Sequence, residues 1–132
     1  MTTIAWDGKT LAADSQCTGD WLEQYPVNKI HKVDDCYLAG AGNSVDLIAY
    51  INGEEIKGDE IEVLRVTKKG KVTYHKNGNG HLDVKGKTAI GSGAGFAMGA
   101  MLAGATATEA VKIASKLDPY TGGKIKSVKI KK

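Results

Sequence analysis

Cysteine is scarce. Cys17 and Cys36 are the only two in 132 residues, too few for a disulfide framework and without the CxxC or Cys/His spacing of a zinc site. They fit a reducing compartment, and a cytoplasmic protein is expected. No apolar run approaches the roughly 20 residues of a membrane-spanning helix. The N-terminus lacks the basic and apolar regions of a signal peptide. A soluble chain with no membrane partner is therefore expected. Charge of one sign is also lacking: 18 Lys and Arg against 15 Asp and Glu leave a formal +3. That is too little to argue for nucleic acid, and only the tail, Lys124 to Lys132, is locally basic. Its lysines alternate as on an exposed strand. Trp6, Trp21 and Phe96 are too few and too scattered to stack bases. His31, His75 and His81 show neither pairing nor ligand spacing, so no metal and no cofactor is expected. No segment is repeated or of low complexity.

What remains is ordinary for a globular protein: 42% apolar and 25% charged residues, with 17 glycines, enough for one domain spanning residues 1–132 around one core. Residues 3–7 and 10–15 read as a hairpin turned at Asp7-Gly8. Residues 16–28 read as irregular. Strands are expected at 29–33 and 36–41, and a helix over 45–52 is capped by Asn43 or Ser44 and ended by Gly53. Residues 61–67, 71–76 and 81–90 are strand-like. A small-residue helix covers 94–103. Thr106 and Glu109 form the capping box of another, with Ala110, Ile113, Ala114 and Leu117 as its buried stripe and Pro119 as its stop. A half-exposed or edge strand covers 124–130. The sum is an α+β fold.

Five places carry reactive chemistry. Loss of Met1 would expose Thr2, whose hydroxyl and α-amine place a nucleophile and a base on one residue; Met-Thr-Thr is equally an ordinary start. Lys32, alternating with Ile30, is a candidate to tune that hydroxyl if buried, and a surface lysine otherwise. Asp14 interrupts the apolar run LAAD and, if buried, needs a partner; Lys32 would serve, and a turn-capping role is the alternative. Gly91-Ser92-Gly93 lies between a strand and a helix, where backbone N–H groups reach a site. Its GxGxG spacing does not match a dinucleotide loop. Asp118-Pro-Tyr-Thr121-Gly-Gly reads by itself as a helix stop.

Taken together these pieces resemble the proteasome β-subunit family, the N-terminal nucleophile (Ntn) hydrolases that include HslV-type peptidases. Thr2-Thr3-Ile4 is similar to the family's mature start, and Leu11-Ala12-Ala13-Asp14-Ser15 to its AADS strand. Lys29-Ile30-His31-Lys32-Val33 is similar to its KKV segment, with Lys32 at the site lysine. Ala39-Gly40-Ala41-Gly42-Asn43-Ser44-Val45-Asp46 resembles the glycine loop entering the first helix. Ile90-Gly91-Ser92-Gly93 resembles its GSG, and Asp118 to Gly123 its D-x-[YS]-SGG. The six motifs run in order from residue 2 to residue 123.

The resemblance implies an αββα sandwich of two antiparallel sheets, here with reduced helical layers. It implies Thr2 as nucleophile, Lys32 and Asp14 tuning it, and Gly42 offering its N–H to the oxyanion. Ser92, Asp118 and Thr121 would support the amine, and Cys17, Ile30, Gly40 and Ser44 would line the substrate pocket. It further implies a threonine-type peptidase cutting peptide or unfolded protein, built as a homo-oligomer with an ATP-dependent unfoldase as a partner. The chain reads as a shortened, divergent member: its first helix ends early and Asn43 replaces the loop's second glycine. The alternative is a non-catalytic structural or binding subunit of the same fold that keeps Met1.

Overall fold

The structure, a computed structural model, describes residues 2–18, 21, 23–55, 61–76 and 80–130. In chain order its strands are β1 (Ile4–Trp6), β2 (Thr10–Ala13), β3 (Gln16–Thr18), β4 (Gln24–Pro26), β5 (Ile30–Val33) and β6 (Cys36–Gly42), followed by helix α1 (Ser44–Ile51). Then come β7 (Ile61–Thr67), β8 (Val72–Lys76), β9 (His81–Val84) and β10 (Thr88–Ile90), helices α2 (Ala94–Leu102) and α3 (Ala107–Leu117), and β11 (Lys126–Lys129).

The first hairpin forms where its turn residues demand it. Gly8 takes φ +102°, and the Asp7 carboxylate accepts hydrogen bonds from the Lys9 and Thr10 N–H groups, closing an Asx-type turn. Strands β10 and β11 flank this hairpin, giving an antiparallel sheet in the order β10-β1-β2-β11. A second antiparallel sheet runs β5-β6-β7-β8-β9, and β3 pairs with β4 in a small ribbon.

Alternation along β1 and β2 divides their side chains between two cores. Ile4, Trp6, Leu11 and Ala13 face the second sheet and meet Ile30, Ala39, Leu64 and Val66. Ala5 and Ala12 face the other way and meet Ala97 and Met101 of α2 and Ala107, Ala110 and Val111 of α3. On the far side of the second sheet, Leu47, Tyr50 and Ile51 of α1 cover Leu38, Ile61 and Val63. The layers are therefore helix, sheet, sheet, helix, as expected of the α+β sandwich.

The helix caps follow the sequence. Asn43 caps α1 through the Val45 and Asp46 N–H groups, and Thr106 and Glu109 form both halves of the capping box of α3. Three expectations need correction. Residues 16–28 are not wholly irregular, since β3 and β4 pair with Cys17 opposite Tyr25. Residues 81–90 are not one strand. Gly86 takes φ +82° and the chain passes from the second sheet to the first, so that β9 pairs with β8 and β10 with β1. The buried stripe of α3 is Ala107, Ala110, Val111 and Ala114, leaving Leu117 58% exposed. Small residues facing Ala5 and Ala12 let the helix approach the sheet closely, which rotates the bulkier Ile113 and Leu117 to the edge of the contact.

Leu64 is fully buried between the two sheets. Its replacement by Ala should lower stability by about 2–5 kcal/mol, read as a fall in the urea midpoint at unchanged slope.

Candidate functional site

The register of the first hairpin builds the site. Ile4 lies opposite Ala13, so the residues just beyond, Thr3 and Asp14, meet. The Asp14 N–H donates to the Thr3 carbonyl at 3.2 Å, and the Thr3 N–H donates to Asp14 Oδ1 at 3.1 Å. Thr2, Thr3 and Asp14 are all buried. Lys29, immediately before β5, reaches in from the second sheet. Its Nζ donates to Asp14 Oδ1 at 2.8 Å and to Thr2 Oγ1 at 2.9 Å. Asp14 Oδ2 accepts from the Gly122 and Gln16 N–H groups at 3.0 and 3.4 Å. The carboxylate thus holds the lysine against the threonine hydroxyl and is itself held by the backbone on its other side.

The lysine at the hydroxyl is therefore Lys29 and not Lys32. The reason is strand alternation. Ile30 sits opposite Ala39 in the core between the sheets, and Lys32, two residues on, shares its face opposite Tyr37 at an exposed position. Lys29 and His31 take the other face. The same parity removes Ile30 from the expected pocket lining. Ile30 held the missed signal: an isoleucine committed to the core assigns its two neighbours to the opposite side.

Around the Thr2 backbone lies a second network. The Thr2 N–H donates to Ser92 Oγ at 3.2 Å, and Ser92 Oγ donates to Asp118 Oδ2 at 2.5 Å. Thr121 Oγ1 donates to the same Asp118 oxygen at 2.7 Å and also bonds Thr3 Oγ1 at 2.7 Å. The helix stop of α3 thereby brings Asp118 and Thr121 to the start of β1. Two glycines permit this closeness. Gly91 takes φ +98°, and a side chain there would strike the Thr2 carbonyl; at Gly93 it would strike Thr3 Oγ1.

The two charged centres are tuned differently. Burial pushes the Lys29 ammonium below the ordinary lysine value, outweighing the opposing hydrogen bond and charge of Asp14. It gives up a proton more readily than an exposed lysine. For Asp118, burial is the largest single influence and raises the carboxyl. Hydrogen bonds from the Ser92 and Thr121 hydroxyls and the Tyr120 N–H outweigh it together and hold the group below the ordinary aspartate value.

A cavity of about 160 Å³ opens beside Thr2 and Lys29. Of the residues expected in the substrate pocket, Cys17, Gly40 and Ser44 line it, and Gly42, Val27, His31, Leu47 and Ile48 join them. Gly42, at φ +117°, turns the chain from β6 into α1 at the cavity's edge. At Gly40 a side chain would collide with Leu47, so the glycine lets α1 settle on the sheet. Among the described residues, no three His, Cys, Asp or Glu side chains gather to hold a metal ion, and no helix is long and apolar enough to cross a membrane.

Removing Lys29 strands a buried carboxylate. Lys29→Met should cost about 3–5 kcal/mol, whereas Lys32→Met should stay within about 0.5 kcal/mol of the parent; paired urea titrations decide. The lowered pKa of Asp118 contributes stability that is present above its unfolded value of 3.8 and lost as pH falls through the folded value. Asp118→Asn should therefore flatten the acid limb of a stability–pH profile.

No protein-family model matches the chain, and no curated protein matches it in sequence. Solved structures do match in fold. BPH from Thiobacillus denitrificans superposes with a TM-score of 0.79 at 17% identity, over 98% of each chain. The same protein in complex with epoxomicin gives 0.75 at 17% identity, over 99% of each. HslV from Trypanosoma brucei gives 0.72 at 17% identity, over 96% of this chain and 97% of its own. The chain has a proteasome/HslV-like fold.

Proposed function

We propose that this chain is a threonine-type N-terminal nucleophile hydrolase that cleaves amide bonds in peptide or unfolded protein. One observation carries the reading: Thr2 Oγ1 lies 2.9 Å from a buried lysine that Asp14 pins at 2.8 Å, at the mouth of a cavity. A binding-only protein has no use for a desolvated ion pair aimed at a hydroxyl.

With Met1 removed, the α-amine of Thr2 is the general base. Near neutral pH it is partly unprotonated, since such amines titrate at about 8. The hydroxyl oxygen attacks the substrate carbonyl while its proton passes to the amine, directly or through a water. Lys29 stabilises the developing alkoxide, and Asp14 keeps Lys29 in place. The Gly42 N–H takes the oxyanion, a contribution of about 3 kcal/mol per donor in hydrolases. Collapse breaks the C–N bond, the amine's proton leaves with the departing fragment, and an ester remains on Thr2. Water, deprotonated by the same amine, then releases the acid and restores the hydroxyl. Ser92, Asp118 and Thr121 orient the amine. Cys17, Gly40 and Ser44 contact the substrate side chain.

The family resemblance extends the reading to a cytoplasmic homo-oligomer, with an ATP-dependent unfoldase as the partner that would feed it. Phe96, Leu102 and Leu117, exposed on α2 and α3, support self-association through that layer.

Intact mass before and after incubation with epoxomicin tests the proposal, because such epoxyketones require a free α-amine beside a hydroxyl. The expected result is a mass lacking Met1 and one adduct, absent in Thr2→Ala and slowed at least about 100-fold in Lys29→Met. A mass that keeps Met1 and takes no adduct would favour a non-catalytic subunit.

A further inference from the structure

On the outer face of the second sheet, past the C-terminal end of α1, lies a cleft unrelated to Thr2. Strand register assembles it. Arg65 on β7 sits opposite Thr73 on β8, and His75 on β8 sits opposite His81 on β9. Thr67 at the end of β7 and Lys71 in the turn to β8 complete it, around a volume of about 230 Å³. Each of these six side chains carries an N–H or O–H donor, and none is a carboxylate.

Arg65, Lys71 and His81 are exposed at the rim of the cleft and His75 is half-buried. The two imidazoles lie 5.4 Å apart. Burial, followed by the nearby His81 and Arg65, pushes the protonation of His75 below the ordinary histidine value. Among the described residues, Arg65, Lys71, His75 and His81 form no salt bridge. The Arg65 Nε–H is fixed on Cys36 Sγ at 3.3 Å, which orients the guanidinium and leaves its terminal nitrogens for another acceptor. His75 Nε2 is bonded to Thr73 Oγ1 at 2.9 Å, and the His75 ring packs against Tyr50 of α1 at 6.2 Å. The carboxylates nearest in sequence and register are Asp83, opposite Thr73 on β9, and Asp35, in the β5–β6 turn beside Arg65. Both are exposed and neither lines the cleft.

We infer that this cleft binds a small tetrahedral oxyanion of the phosphate class through Arg65, Lys71, His75 and His81. A dianion there converts a like-charge cluster into charge-assisted hydrogen bonds, with the Arg65 fork as anchor and the two hydroxyls as neutral donors. An anion in the cleft favours the protonated form of His75 and so binds less well as that ring loses its proton.

The test follows the imidazole resonances of His75 and His81 by NMR during titration of the full chain. Sulfate is the first probe, because it stays dianionic throughout. The expected result is a saturable shift of both rings, with affinity at least about 5-fold tighter near pH 6 than near pH 8. Arg65→Gln, with its fold checked by circular dichroism, should weaken binding at least about 10-fold. Titrations with inorganic phosphate and with ATP separate a free anion from the phosphate of a larger ligand; tighter binding of either identifies the source. The inference is overturned if chloride at equal ionic strength reproduces the shifts, if they fail to saturate, or if Arg65→Gln leaves them unchanged.

Discussion

The buried pair of Asp14 and Lys29 is the constraint on which the site depends. Two opposite charges taken out of water stabilise a protein only when each is fully engaged. Asp14 meets that condition with the lysine on one side and the Gly122, Gln16 and Thr3 N–H groups around it. These partners come from the first hairpin, the segment before β5 and the loop after α3. One carboxylate therefore ties together both sheets and the C-terminal half of the chain. The lysine is held by the same charge that balances it, and the Thr2 hydroxyl lies where its remaining donor capacity points.

Asp118 performs a different task with the same functional group. Among the described residues it pairs with no lysine and collects hydroxyls instead, those of Ser92 and Thr121, and through them it meets Thr2 and Thr3. Hydroxyls can rotate and exchange donor for acceptor, so this network adapts to a change at the Thr2 nitrogen without moving a formal charge. The rigid charged contact lies at the hydroxyl and the adaptable neutral one at the backbone nitrogen. That division suits the nucleophile and base proposed for Thr2.

The packing around the site is economical. Alanines at positions 5, 12, 107, 110 and 114 bring α3 directly onto the first sheet, and Gly91 and Gly93 let the next loop touch the first two threonines. Larger side chains in either place would fill space at the expense of the close approach that carries Asp118 to Thr2. The anion cleft obeys the same alternation from the opposite side: the outward residues of β7 and β8 that lie beyond α1 are the ones left to meet in the open.

Much of this was legible in the sequence, because local rules wrote it. The Asp7-Gly8 turn, the Asn43 and Thr106 caps, the Pro119 stop and the α+β order depend on neighbours a few residues apart. The pairing of a buried Asp14 with a lysine follows from the cost of an isolated charge. Which lysine it was did not follow: Lys29 and Lys32 both lie within two residues of Ile30, and only the commitment of Ile30 to the core between two sheets decides which one turns toward Thr2. Likewise, residues 81–90 look like one strand, because nothing local records that β9 and β10 belong to different sheets. The cation cluster was invisible, since Arg65, His75 and His81 meet only through cross-strand register. The sequence by itself determined which residue types were available and where turns and caps would fall. The tertiary structure decided which of them face one another, because strand parity and register are settled by burial across sheets that the chain order does not contain.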